Sequence, residues 1–134
     1  MSFGYHGKIL HVYLDTHDLR VEEPGEDFYK TYAGGSAMGM YYVLNHTPGN
    51  AKPLGPENTL VLAVSVLTGT PISGQSRITA VAKSPLSDAV GDSQSGGFFP
   101  AEMKFSGFDA FVIHGRSKKP VYLYVNDGEF ELRP

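Results

Sequence analysis

FDAFVIHGRSKKPVYLYVNDGEFELR, residues 108–133, carries the strongest local signal in the chain. Two alternating apolar and polar runs, Pro120–Val125 and Glu129–Arg133, meet at Asn126-Asp127-Gly128, whose residues tolerate positive φ. That pattern predicts a β-hairpin, and FDAFVIHG ahead of it reads as a further strand. Immediately upstream, PAEMKFSG (100–107) has a proline suited to a first helical turn, an acid close behind and a glycine at the end. It predicts a short helix.

Further upstream, RITAVAK (77–83) alternates, with Ile78, Ala80 and Ala82 opposite Thr79, Val81 and Lys83, and Pro85 ends it. Thr59–Val66 is a valine-rich apolar run of strand length, which predicts a central strand. GKILHVYLD (7–15) sets Ile9, His11 and Tyr13 against Leu10, Val12 and Leu14, so a strand with one better-buried face is expected, paired through the turn DTHD with LRVEE. Between them, EDFYKTY and SAMGMYYVLNH read as two short helices, the second N-capped by Ser36 and separated from the first by Gly34-Gly35. Met38, Tyr41, Tyr42 and Asn45 fall at helical spacing, which makes the apolar members core residues. Seven or so strands with three short helices, lacking strict strand–helix alternation, make the class α+β.

Composition bounds the function. A chain of 134 residues is one domain long and can bury roughly two thirds of its unfolded surface. Hydrophobic residues are 41% and charged residues 19%, with net charge −3 and scattered Lys and Arg. Neither nucleic acid nor an anionic membrane has a basic stripe to bind. No cysteine is present, which excludes disulfides, thiolate metal sites and an iron–sulfur cluster ligated by this chain. The start MSFGYHGKIL is no secretory leader and the longest apolar run, Leu60–Leu67, is too short to span a bilayer, so a cytoplasmic location without membrane partners is expected.

The five histidines, His6, His11, His17, His46 and His114, show no HxH, HxxxH or HExxH spacing, and His11 and His114 lie inside strand patterns. Gly91-Asp92-Ser93 invites a serine hydrolase, but the elbow pattern GxSxG is not met, and no GxxxxGK[ST] or GxGxxG loop occurs. Two glycine-bearing loops, LTGTPISGQSR and GDSQSGGFF, flank the strand RITAVAK. The guanidinium of Arg77 and the amides from Ser95 to Gly97 are thereby expected to meet as an anion-binding concavity; the alternative is glycine chosen only for tight turns.

At these residues a family becomes visible. PLGPEN, LTGT, SGxxR, VAKSPL, GDSxSGGFF, EMKFSGFDA and KPVYLYV, in this order, resemble the N-terminal domain of the tungsten-containing aldehyde ferredoxin oxidoreductases, from GYHGKILHVYL to the last residue. The resemblance implies two β-sheets with a few short helices beneath a tungsten or molybdenum bis-pterin with bridging magnesium. It implies a [4Fe–4S] cluster held by other domains or subunits, ferredoxin as electron acceptor, and aldehyde oxidation by the whole enzyme. On this pattern residues 1–134 are a single domain that continues past Pro134, inactive alone, needing its C-terminal domains or a partner subunit. Arg77, Gln94 and Gly96 are the cofactor-binding residues the resemblance implies, to which the anion-site reading adds Ser95 and Gly97, with no catalytic or metal-ligating residue expected in the chain. Gln94 stands where the family has asparagine, Ala37 where it has glycine, and Ser65-Val66 where Gly-Pro is common. The rival expectation is a non-catalytic, protein-binding or homo-oligomeric module that has kept the fold and lost the cofactor.

Overall fold

The computed structural model describes residues 4–134; the first three residues of the start read above as leaderless lie outside the described residues. In chain order the elements are β1 (Ile9–Tyr13), β2 (Asp18–Glu22), α1 (Glu26–Thr31), α2 (Gly35–His46), β3 (Leu60–Val64), β4 (Ile78–Lys83), β5 (Val90–Ser95), α3 (Phe98–Phe105), β6 (Ala110–His114), β7 (Tyr122–Asn126) and β8 (Glu129–Arg133). Six strands form one sheet in the order β2-β1-β6-β3-β4-β5, and β7-β8 form a second. The α+β class and the two sheets with few short helices are as the sequence led us to expect. Asp127 and Gly128 both take positive φ, 47° and 83°, the mark of the tight hairpin turn.

The six-stranded sheet is covered on both faces. On one, α1 and α2 bring Tyr29, Met38, Tyr42 and Val43 onto Ile9, Val61, Val81 and Val112. On the other, α3 and the β7–β8 hairpin close over Leu10, Val12, Val64, Ile78 and Phe111 with Met103 and Phe108. The expectation of one better-buried face for β1 is therefore corrected. Ile9 and Leu10, neighbours pointing in opposite directions, are both fully buried, each contributing roughly 2 kcal/mol. The parallel pairing of β1 with β6 puts β1 inside the sheet, where both faces need apolar side chains.

Two further expectations shift. Helix α2 is capped by Gly34 rather than Ser36, without a side-chain cap bond. The cause is a close approach: Gly34 bridges to Ser65, and a Cβ at Gly34, whose φ is 117°, would strike the backbone of Val64 and Ser65. Ser65 itself is accommodated, its hydroxyl accepting from the Leu67 amide at 3.1 Å. Secondly, Val90–Ser95 is an edge strand paired with β4, not a loop.

Two polar clusters, one buried and one half-buried, tie the layers together. The Asp109 carboxylate is 1% exposed and accepts from Lys104 Nζ (2.6 Å), the Tyr29 hydroxyl (2.9 Å) and the amides of His6 (2.9 Å) and Gly7 (2.8 Å). Burial, then the Asp109 charge, pushes the Tyr29 phenol up, so it remains a donor. On the α2 side, Glu22 accepts from His11 Nε2 (2.8 Å) and the Tyr42 hydroxyl (2.9 Å). An ionised Glu22 has only acceptors, so the His11 ring carries a proton on Nε2, and its Nδ1 shares a bond of 3.0 Å with His114 Nε2. Burial, then the charges of His11 and His46, holds the His114 imidazole down at about 4, with Asp15 opposing.

These clusters generate two expectations. Lys104→Met leaves the Asp109 charge without its cation and should lower the unfolding free energy by about 3–5 kcal/mol in urea titrations; a change under about 1 kcal/mol would show the pair to be dispensable. His114 has a folded pKa below its unfolded value of 6.5, so its contribution is present above 6.5 and fades as pH falls toward about 4. Because the ring is half-buried, the loss is on the order of 1–2 kcal/mol. His114→Asn should flatten the stability profile across that window, measured by urea midpoints at successive pH values.

Candidate functional site

Arg77 is the last residue before β4, at the end of the long loop from β3, and its side chain is exposed. Register pairs Ile78 with Ser95 and Thr79 with Gln94, so the residue beyond Ser95 lies across from Arg77. There the chain leaves β5 through Gly96-Gly97 and enters α3. Arg77 and Gly97 line one surface depression of about 480 Å³, with Gly74, Gln75, Ser76, Phe98 and Ala101. Among the described residues Arg77 makes no ion pair. Its guanidinium is uncommitted.

The α3 N-terminus adds donors. Gly97 is the N-cap and supplies no side-chain bond, which leaves the first amides of the helix free of a side-chain acceptor. At φ 100° Gly97 takes a conformation that favours glycine, and a Cβ there would meet nothing within 4 Å. The space beside it is open to a ligand. A cation and a helix N-terminus facing one cavity suit an anion such as a phosphate.

The other sequence-selected residues are placed differently. Gln94, Ser95 and Gly96 do not line the depression. Gln94 and Ser95 are successive residues of β5, so their side chains point to opposite faces of the sheet and cannot form one wall. Gly96 is exposed, and a Cβ there would approach the Ser76 carbonyl at 3.4 Å. What sequence reasoning missed is how Arg77 is held. Gln75 and Ser76 occupy the two positions that the motif SGxxR leaves unspecified, and both line the cavity. Their only sequence signal was their place beside the arginine.

The histidines do not line this depression. His11 and His114 are satisfied by one another and by Glu22. Among the described residues no group of three or more His, Asp or Glu is arranged to hold a metal ion, and no helix is long and apolar enough to cross a membrane.

Residues 9–134 match the family model described as aldehyde ferredoxin oxidoreductase, N-terminal domain. The tungsten-containing aldehyde ferredoxin oxidoreductase of Thermococcus kodakarensis is 41% identical over 131 residues, which is 98% of this chain and 22% of that protein. The WOR-like subunit of aliphatic sulfonate oxidoreductase from Pyrococcus furiosus is 34% identical, across 98% of this chain and 21% of its own length. Among solved structures, the active site complex BamBC of benzoyl coenzyme A reductase, in complex with 1,5 dienoyl-CoA, superposes with a TM-score of 0.94 at 30% identity, over 99% of this chain and 20% of that one. The chain thus spans about a fifth of the length of the relatives it matches. Its sequence and fold together place it in the aldehyde ferredoxin oxidoreductase family, to whose N-terminal domain it corresponds.

Proposed function

We propose that this chain is the cofactor-supporting domain of a tungsten pterin oxidoreductase, and that it binds the pterin phosphates rather than performing the chemistry. The observation that carries this reading is the uncommitted Arg77 guanidinium sharing its cavity with the uncapped, open N-terminus of α3 at Gly97. The donor set fits a phosphate: Arg77 offers a planar fork of N–H donors, and the helix amides add partial positive charge without a side chain that must reorganise. When bound, the metal and its pterins supply the redox chemistry. Arg77 would neutralise and orient a phosphate, and Gly97 would let it approach the backbone. Gln94 and Ser95 are secondary in this reading: from the neighbouring strand they border the loop that carries the amides. Bridging magnesium, a [4Fe–4S] cluster and transfer to ferredoxin in the cytoplasm belong to the complete enzyme, and the cluster needs cysteines that this chain does not have.

A second observation supports dependence on other domains or a partner subunit. Phe98 is 89% exposed, Phe99 and Phe105 59% each, with Leu67 and Ile72 on the adjoining loop also bare. Large apolar surface beside a site marks an interface. The same surface supports the rival reading, a module that has lost the cofactor and pairs with its own copies.

The two readings part on Arg77. With the chain coexpressed beside the domains or subunit that complete it, Arg77→Ala should reduce retained tungsten and pterin about tenfold or more, since a charge-assisted contact is worth about 1.5–3 kcal/mol. Metal analysis and fluorescence of the oxidised pterin read the outcome. Unaltered tungsten and pterin contents in the variant would remove the cofactor role, and self-association of the chain in sedimentation would then favour the interaction module.

A further inference from the structure

The loop that presents Arg77 is fastened by side chains along its length. Thr68, 2% exposed, accepts from the Ser65 amide at 3.1 Å and its hydroxyl donates to the Arg77 carbonyl at 3.3 Å. The Gln75 amide spans the loop: its Oε1 accepts from the Gly69 N–H and its Nε2 donates to the Thr70 carbonyl, both at 2.8 Å. The Arg77 N–H in turn donates to the Gln75 carbonyl at 2.9 Å. These bonds fix the arginine backbone within its own loop. They do not connect it to the other half of the site.

One bond does. The Ser76 hydroxyl donates to the Gly97 carbonyl at 2.6 Å, across 21 residues of sequence, from the residue before the cation to the N-cap that opens α3. In a trans peptide the N–H lies opposite the C=O, so holding the Gly97 carbonyl also sets the direction of the Phe98 amide, the first donor of the helix. Gly97 has no side chain to restrain its own torsions. An external tie is the remaining means of fixing that peptide plane.

We infer that Ser76 is a positioning residue for anion binding, a bolt that holds the Arg77 loop and the α3 N-terminus at one fixed separation and so preorganises the site. This rests on the phosphate-binding reading above. Preorganisation acts on affinity because a site that is assembled only part of the time binds more weakly in proportion to the assembled fraction. The effect of a single neutral hydrogen bond is about fivefold.

The test uses the full chain and inorganic phosphate, followed by amide chemical shifts. Phosphate should move the Gly97 and Phe98 amides of the unaltered chain, and Arg77→Ala should abolish the response. Ser76→Ala should raise the phosphate Kd about fivefold and, without phosphate, speed hydrogen exchange at Gly97 and Phe98. Ser76→Thr, which keeps the hydroxyl, should restore both. A merely structural serine would lower the thermal midpoint and leave phosphate affinity in the folded chain unchanged. If Ser76→Ala binds phosphate as the unaltered chain does, or if Thr fails to rescue it, the positioning role is overturned while the Arg77 reading stands. No phosphate response in the unaltered chain overturns both.

Discussion

The carboxylate of Asp109 is the point through which the layers of this domain are joined. It sits just before β6, and the acceptor it offers is shared by an N-terminal segment, a helix on one face of the sheet and a helix on the other. Its backbone continues the same function, accepting from Val64 and donating to Lys8. An isolated buried carboxylate would cost several kcal/mol of desolvation, and only a full set of donors with a close cation offsets that. The set is complete here. Lys104, 6% exposed, gives its ammonium to Asp109 and to the Ser65 carbonyl at 3.3 Å, so α3 is secured to β3 as well.

That constraint reaches the candidate site by geometry. Helix α3 is eight residues long and Lys104 lies in its last turn, so fixing Lys104 and burying Met103 leaves little freedom at Gly97, two turns away. The loop that carries Arg77 starts at Ser65, the same residue whose carbonyl Lys104 bonds. Both halves of the cavity therefore hang from one buried ion pair. Ser76 closes the remaining gap between them.

What could be read from the sequence was what short-range physics decides. The β7–β8 turn was legible because Asp127 and Gly128 tolerate positive φ in any context. Helix α3 was legible from its proline and terminal glycine. β5 was not: GDSQS has neither apolar alternation nor β-branched residues, and it is a strand because β4 presents a free edge to it. The N-cap of α2 was missed because a serine at the right place is outranked by a backbone contact between Gly34 and Ser65 that is invisible in local sequence. Arg77 was selected for its guanidinium and Gly97 for its main-chain amide, and both line the cavity. Ser76 and the Asp109 hub make long-range bonds and Gln75 a bridge within its own loop, all with residue types common on any surface.

The placement of residue 94 changes the weight given to it. If GDSQSGG were an open loop, every side chain in it would be free to turn toward a ligand, and exchanging asparagine for Gln94 would alter a contact. On a strand paired with β4, the direction of residue 94 is set by the register with Thr79, one sheet face away from the direction of Ser95. The donors proposed for the phosphate are instead the guanidinium and main-chain amides of residues that line the cavity. Main-chain donors survive a change of side chain as long as the backbone keeps its path. The features that keep that path are the glycine at 97, the hydroxyl at 76 and the ion pair beneath α3. The proposed phosphate site therefore depends less on residue 94 than on those three supports, whose loss would disturb it from beneath.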